Sequence, residues 1–160
     1  MSSNSCIIPE CYIDSCMVEV LLFTDRDHVN HQKGNGNVVK EMKEKFQNDF
    51  CLGIIDEDRE DLDYLGEFSL LMETIYLKLW KHNSKDHYLI QVRPVIEKWI
   101  MALCEENGIF LREFGLPENW RDLTRVSKSV ASKKRTKDLF DCSKRRRRRK
   151  LKLSCNYNAG

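Results

Sequence analysis

Phe50-Cys51-Leu52-Gly53-Ile54-Ile55-Asp56-Glu57-Asp58 is the stretch on which the fold turns. Its first six residues carry no charge and close on two β-branched isoleucines, a length that suits one strand and is short for a helix. Unbroken apolarity, rather than alternation, is what a central parallel strand covered on both faces requires. The run then ends abruptly in Asp56-Glu57-Asp58-Arg59-Glu60-Asp61, so the chain leaves the core at that point.

Upstream, Val38, Val39, Met42 and Phe46 recur at helical spacing with lysines and glutamates between them. They predict an amphipathic helix capped by Asn37. His28–Lys33 reads as a weak strand, and Gly34-Asn35-Gly36-Asn37 as the turn after it. Cys11-Tyr12-Ile13, preceded by Pro9 and stopped by Asp14-Ser15, reads as the first strand. From Ser15 the residues Met17, Val18, Val20, Leu21 and Leu22 are dense enough for a helix or a buried strand. A cap at Asp14 or Ser15 favours the helix.

Downstream, residues 62–74 read as mixed helix or loop. Ile75–Trp80 and His87–Val92 read as strands separated by the polar turn Asn83-Ser84-Lys85-Asp86. Pro94 suits the first turn of a helix, and Val95, Ile96, Trp99, Ile100 and Leu103 give that helix its apolar stripe as far as Asn107-Gly108. Pro117 to about Phe140 is helical and increasingly basic. Strands alternating with helices predict an α/β fold, with a mostly parallel sheet of about four strands and helices on both faces. The expected domain runs over 9–126, after a flexible N-terminus (1–8) and before a basic, helical or disordered tail (127–160).

The chain of 160 residues is 41% hydrophobic and 32% charged, ordinary for one globular domain. No apolar run reaches the roughly 18 residues that span a bilayer, and Met1–Pro9 lacks the pattern of a signal peptide. A cytoplasmic protein with no membrane partner is the expectation. Cys6, Cys11, Cys16, Cys51, Cys104, Cys142 and Cys155 form no C-x-x-C pair, so they read as reduced thiols rather than zinc ligands. The net charge of +2 hides a division: residues 133–152 carry 12 Lys or Arg against two Asp, leaving 15 basic and 23 acidic residues in 1–132. An acidic body is no general nucleic-acid-binding surface, but it is compatible with carboxylate-rich sites that hold Mg2+.

In parallel α/β sheets, ligands sit outside the carboxyl ends of the strands. Asp14 ends the expected first strand, Asp56 and Asp58 end the apolar one, and Glu97 lies one turn into the helix after 87–92. Carboxylates brought together raise one another's pKa unless a cation sits among them. Taken singly, each has a plainer reading. Asp14 can cap a helix, the acidic run can be a solvated loop, and Glu97 can pair with Lys98 or Arg93.

Ile13-Asp14 and Gly53-Ile54-Ile55-Asp56-Glu57-Asp58 stand in the order of the acid and the Asp-x-Asp that follow the first and third strands of a Toprim (topoisomerase–primase) domain. Arg93-Pro94-Val95-Ile96-Glu97-Lys98-Trp99 resembles the Asn-Pro-x-x-Glu-x-Trp stretch of small stand-alone Toprim-like proteins from bacterial restriction and phage-defence clusters. The resemblance covers about residues 10–107 and implies a Toprim- or Rossmann-like three-layer fold. It implies Mg2+- or Mn2+-dependent phosphodiester chemistry on DNA or RNA, as a nuclease in phage defence, with a partner protein such as an ATPase. Asp56 and Asp58, with Glu97, become the expected metal ligands, and Asp14 or Glu19 the acid/base. The family's first acid is usually Glu, often followed by Gly, where this reading has Asp14-Ser15; Arg93 stands where the family has Asn.

His28, His31 and Lys33, followed by Gly34-Asn35-Gly36, are candidates for a phosphate-contacting loop, or for plain surface residues. Lys144 to Lys150, including Arg145, Arg146 and Arg147, can neutralise phosphates without regard to sequence. The rival function is a catalytically degenerate Toprim-like module that binds nucleic acid or another protein.

Overall fold

The computed structural model describes residues 6–22, 29–57, 63–127 and 134–142. Five strands, β1 (Cys6–Pro9), β2 (Cys51–Asp56), β3 (Phe68–Glu73), β4 (Leu77–His82) and β5 (His87–Val92), form one sheet in the order β1-β2-β5-β4-β3. β1, β2 and β5 run parallel; β4 and β3 are added antiparallel. The sheet is therefore mixed, with one strand more than expected. The turn over 83–86 decides this. Four residues can join His82 to His87 only as an antiparallel pair, because a parallel connection needs a crossover of about a dozen residues or more.

The helices are α1 (Tyr12–Leu22), α2 (Asn35–Lys45), α3 (Ile96–Asn107), α4 (Trp120–Ser127) and α5, over residues 134–142. They cover both faces of the sheet. On one face Ile13, Cys16 and Val20 of α1 share a core with Ile96, Ile100 and Cys104 of α3, Leu123 of α4, and Leu139 and Phe140 of α5. On the other, Val38, Val39 and Met42 of α2 pack on Ile8, Cys51, Ile55 and Leu89. β2 lies between these layers with parallel partners on both sides, as its unbroken apolarity requires. Gly53 is what lets α2 approach. A Cβ there would fall 2.5 Å from Leu89 Cδ2 and 2.9 Å from Met42 Sδ.

The start of the domain differs from the expectation. The first strand is Cys6–Pro9, not Cys11–Ile13. Pro9 is tolerated because β1 is an edge strand and need not donate at every position. Residues 11–14 instead form a reciprocal cap. The Cys11 N–H donates to Asp14 Oδ2 at 3.2 Å, and the Asp14 N–H donates to Cys11 Sγ at 3.4 Å. That pairing satisfies two N–H groups at the start of α1, so the helix begins at Tyr12.

The weak strand over 28–33 reduces, in its described part, to one bridge between Val29 and Ile7. α2 is capped by Gly34 (φ 87°), not Asn37. β3 occupies much of the segment expected to be helix or loop, after a 3-10 turn at Asp63–Glu67. The helix after β5 begins at Ile96 rather than at Pro94, which follows Arg93 through a cis peptide. Among the described residues every cysteine is a free thiol, and no helix is long and apolar enough to cross a membrane.

Candidate functional site

Parallel pairing aligns the C-terminal ends of β1, β2 and β5, with Pro9 beside Ile54 and Asp56 beside Val92. Whatever follows these strands emerges on one rim. After β1 that residue is Glu10, whose backbone N–H donates to Ile54 O at 3.1 Å. Its carboxylate Oε2 accepts the Asp56 N–H at 3.2 Å, so Glu10 lies directly against the end of β2. Asp56 is the last residue of β2, and its Oδ1 accepts the N–H of Ile96 at 3.0 Å. Asp56 thus caps α3 from a neighbouring strand, where the positive end of the helix favours an anion. Glu97, the next residue of α3, is 3% exposed and accepts the Ser127 hydroxyl at 2.7 Å. It pairs with neither Lys98 nor Arg93.

Asp14 reaches the same rim from the first turn of α1 and is 1% exposed. Its Oδ2 is used by the Cys11 cap, while its Oδ1 is buried with no hydrogen-bond partner among the described residues. Burial pushes the Asp14 carboxyl up to about 7; the negative charges of Glu10 and Glu97 push the same way, against the Cys11 hydrogen bonds. Asp56 is pushed up to about 8, first by burial and then by the charges of Asp14, Glu10 and Glu97. Four carboxylates from three strand ends therefore lie within electrostatic reach of one another. Glu57, by contrast, points elsewhere and is neutralised by Lys78 at 2.6 Å and Arg93 at 2.9 Å.

A cavity of about 320 Å³ opens beside Glu10, lined by Glu10, Cys11, Tyr12, His31, Lys33 and Gly34. His31 stacks on Tyr12, with ring centroids 4.2 Å apart, and its Nδ1 lies 3.2 Å from Ser15 Oγ. The Ser15 hydroxyl donates to Cys11 O at 3.0 Å. Oγ therefore offers a lone pair to the ring, and Nδ1 carries the proton.

Of the residues expected from sequence, Asp14, Asp56 and Glu97 come together, and His31 and Lys33 border the same region. Glu19 does not join them: its Oε2 meets Lys137 at 3.3 Å, and it is not among the main charges acting on Asp14 or Asp56. Asp58, His28 and the three arginines Arg145, Arg146 and Arg147 lie outside the described residues. Glu10 was not anticipated, and it is the acid that directly follows the first strand. Its signal was the β-branched pair Ile7-Ile8 ahead of Pro9, which marks a strand ending one residue before Glu10. Among the described residues no group of three His, Cys, Asp or Glu side chains is arranged to hold a metal ion. No family model, curated protein or solved structure matches the chain.

Proposed function

We propose that this chain carries out Mg2+- or Mn2+-dependent phosphodiester chemistry on DNA or RNA, as a nuclease of the Toprim type. The observation that carries the reading is the convergence of Glu10, Asp14, Asp56 and Glu97 on the rim formed by β1, β2 and β5. Glu10 also supports the resemblance, because glutamate is the acid expected directly after the first strand.

The donor set suits a hard divalent ion. It is all oxygen, and buried Asp14 Oδ1 has no hydrogen-bond partner among the described residues. Mg2+ commonly keeps several waters and needs only one or two carboxylates. Glu10 and Asp56 would hold it, with Asp58 two residues further along and Glu97 behind them. When bound, such an ion polarises a phosphoryl oxygen and acidifies a coordinated water. Asp14, buried and within electrostatic reach of Asp56, would hold or pass a proton. His31 and Lys33 would contact substrate phosphate along the cavity, and Arg145, Arg146 and Arg147 would add sequence-independent affinity.

The test is cleavage of single- and double-stranded DNA and RNA with Mg2+ or Mn2+. The Glu10→Ala and Asp56→Ala proteins are expected to lose it, while chelation silences the wild type. Undiminished cutting by the double variant refutes the proposal. A wild type that binds nucleic acid but cuts none leaves the degenerate binding module in its place.

A further inference from the structure

We infer that the side-chain oxygen of Asn35 is a neutral ligand of the cation held at this rim, an inference that rests on the metal-dependent reading above. Asn35 opens α2, on the face of the sheet opposite α1, so it approaches the end of β2 from the side that Asp14 does not. Asparagine near a helix start usually spends its side chain on the cap. Here Gly34 holds the cap position and no side chain bonds the free N–H groups, which leaves the Asn35 amide available to reach across to β2.

The orientation of that amide follows from its partner. Asn35 Nδ2 donates to the backbone oxygen of Asp56 at 3.1 Å. A carbonyl oxygen only accepts, so the NH2 group must face it, and Oδ1 is left as the remaining polar atom. Asn35 is 3% exposed, and Oδ1 has no hydrogen-bond partner among the described residues. Asn35 Oδ1 and Asp14 Oδ1 are thus two buried oxygens without a donor among the described residues, one on a residue bonded to Asp56 and the other on an acid whose charge acts on Asp56. A buried acceptor of this kind is costly unless something positive meets it, and amide oxygens are ordinary ligands of hard divalent ions. Gly34, the residue before Asn35, lines the cavity beside Glu10.

Mn2+ binding to the full chain, followed by calorimetry with circular dichroism to confirm folding, separates this role from a merely structural one. Asp56→Ala serves as the reference that removes the site. Asn35→Ala is expected to weaken Mn2+ binding about tenfold or more, while Asn35→Asp, which keeps an oxygen at the position, retains or tightens it. An Asn35→Ala protein that binds Mn2+ as the wild type does, while Asp56→Ala does not bind, overturns the inference and leaves the metal reading intact. If Asn35→Ala fails to fold, Asn35→Asp decides: weaker binding than the wild type overturns the inference. A wild type that binds no Mn2+, or an Asp56→Ala protein that binds it equally, removes the metal reading and this inference together.

Discussion

Asp56 holds two positions at once, as the cap of α3 and as a member of the acid cluster. Burial and like charge make it and Asp14 weak acids, pushed up to about 8 and about 7 from an ordinary value of 3.8. The native state therefore keeps protons that the unfolded chain has released. The stability these two carboxyls contribute is full below about pH 4 and is lost as pH rises through 7 to 8. Thermal melts in chelator are expected to show Tm falling over that interval, with Asp56→Asn flattening the fall. Mg2+ should raise Tm most at the alkaline end. An Asp56→Asn protein whose melting temperature tracks the wild type at every pH contradicts this account. At the same scale, Asp14, Asp56 and Glu97 were legible as acids next to apolar runs. Glu10 was not, because Cys11-Tyr12-Ile13 reads as a strand, whereas in the fold Cys11 and Asp14 cap each other at the start of a helix.

Among the elements, β2 was legible almost to the residue, since a strand buried on both faces writes its burial into an unbroken apolar run. β3 was not. Only Phe68 of that strand is buried, and its ladder with β4 shifts register between Leu70 and Met72, which erases the two-residue alternation that marks a strand. The packing of α2 on β2 depends on Gly53, where any Cβ meets Leu89, Met42 and Val38 at 2.5–3.1 Å. Gly53→Val is expected to destabilise the fold by about 1–3 kcal/mol through overpacking, measured by urea denaturation. Because α2 also carries Asn35, the same change should weaken metal binding; unchanged stability would mean that the two layers are not tightly apposed.

At the scale of the whole molecule, residues 134–142, which the sequence assigned to a basic tail, enter the fold. Leu139 and Phe140 of α5 are buried in the core built by α1 and α3, and Lys137 meets Glu19 across the same interface. Leu139→Ala should cost about 2–5 kcal/mol by urea denaturation, whereas a loss near zero would show that α5 does not pack there. The sequence by itself determined that this is an α/β protein, that a strand covered on both faces ends in acid at Asp56, and that a helix follows the strand 87–92 with Glu97 near its start. Those features are local, because capping, apolar periodicity and turn chemistry act over a few residues. Only the tertiary structure decided that the sheet is mixed, that Glu10 rather than Asp14 is the acid following the first strand, and that Asn35 meets Asp56 from the opposite layer. Strand order and the meeting of residues 20 to 46 positions apart depend on which apolar faces bury one another, and no short window of sequence records that.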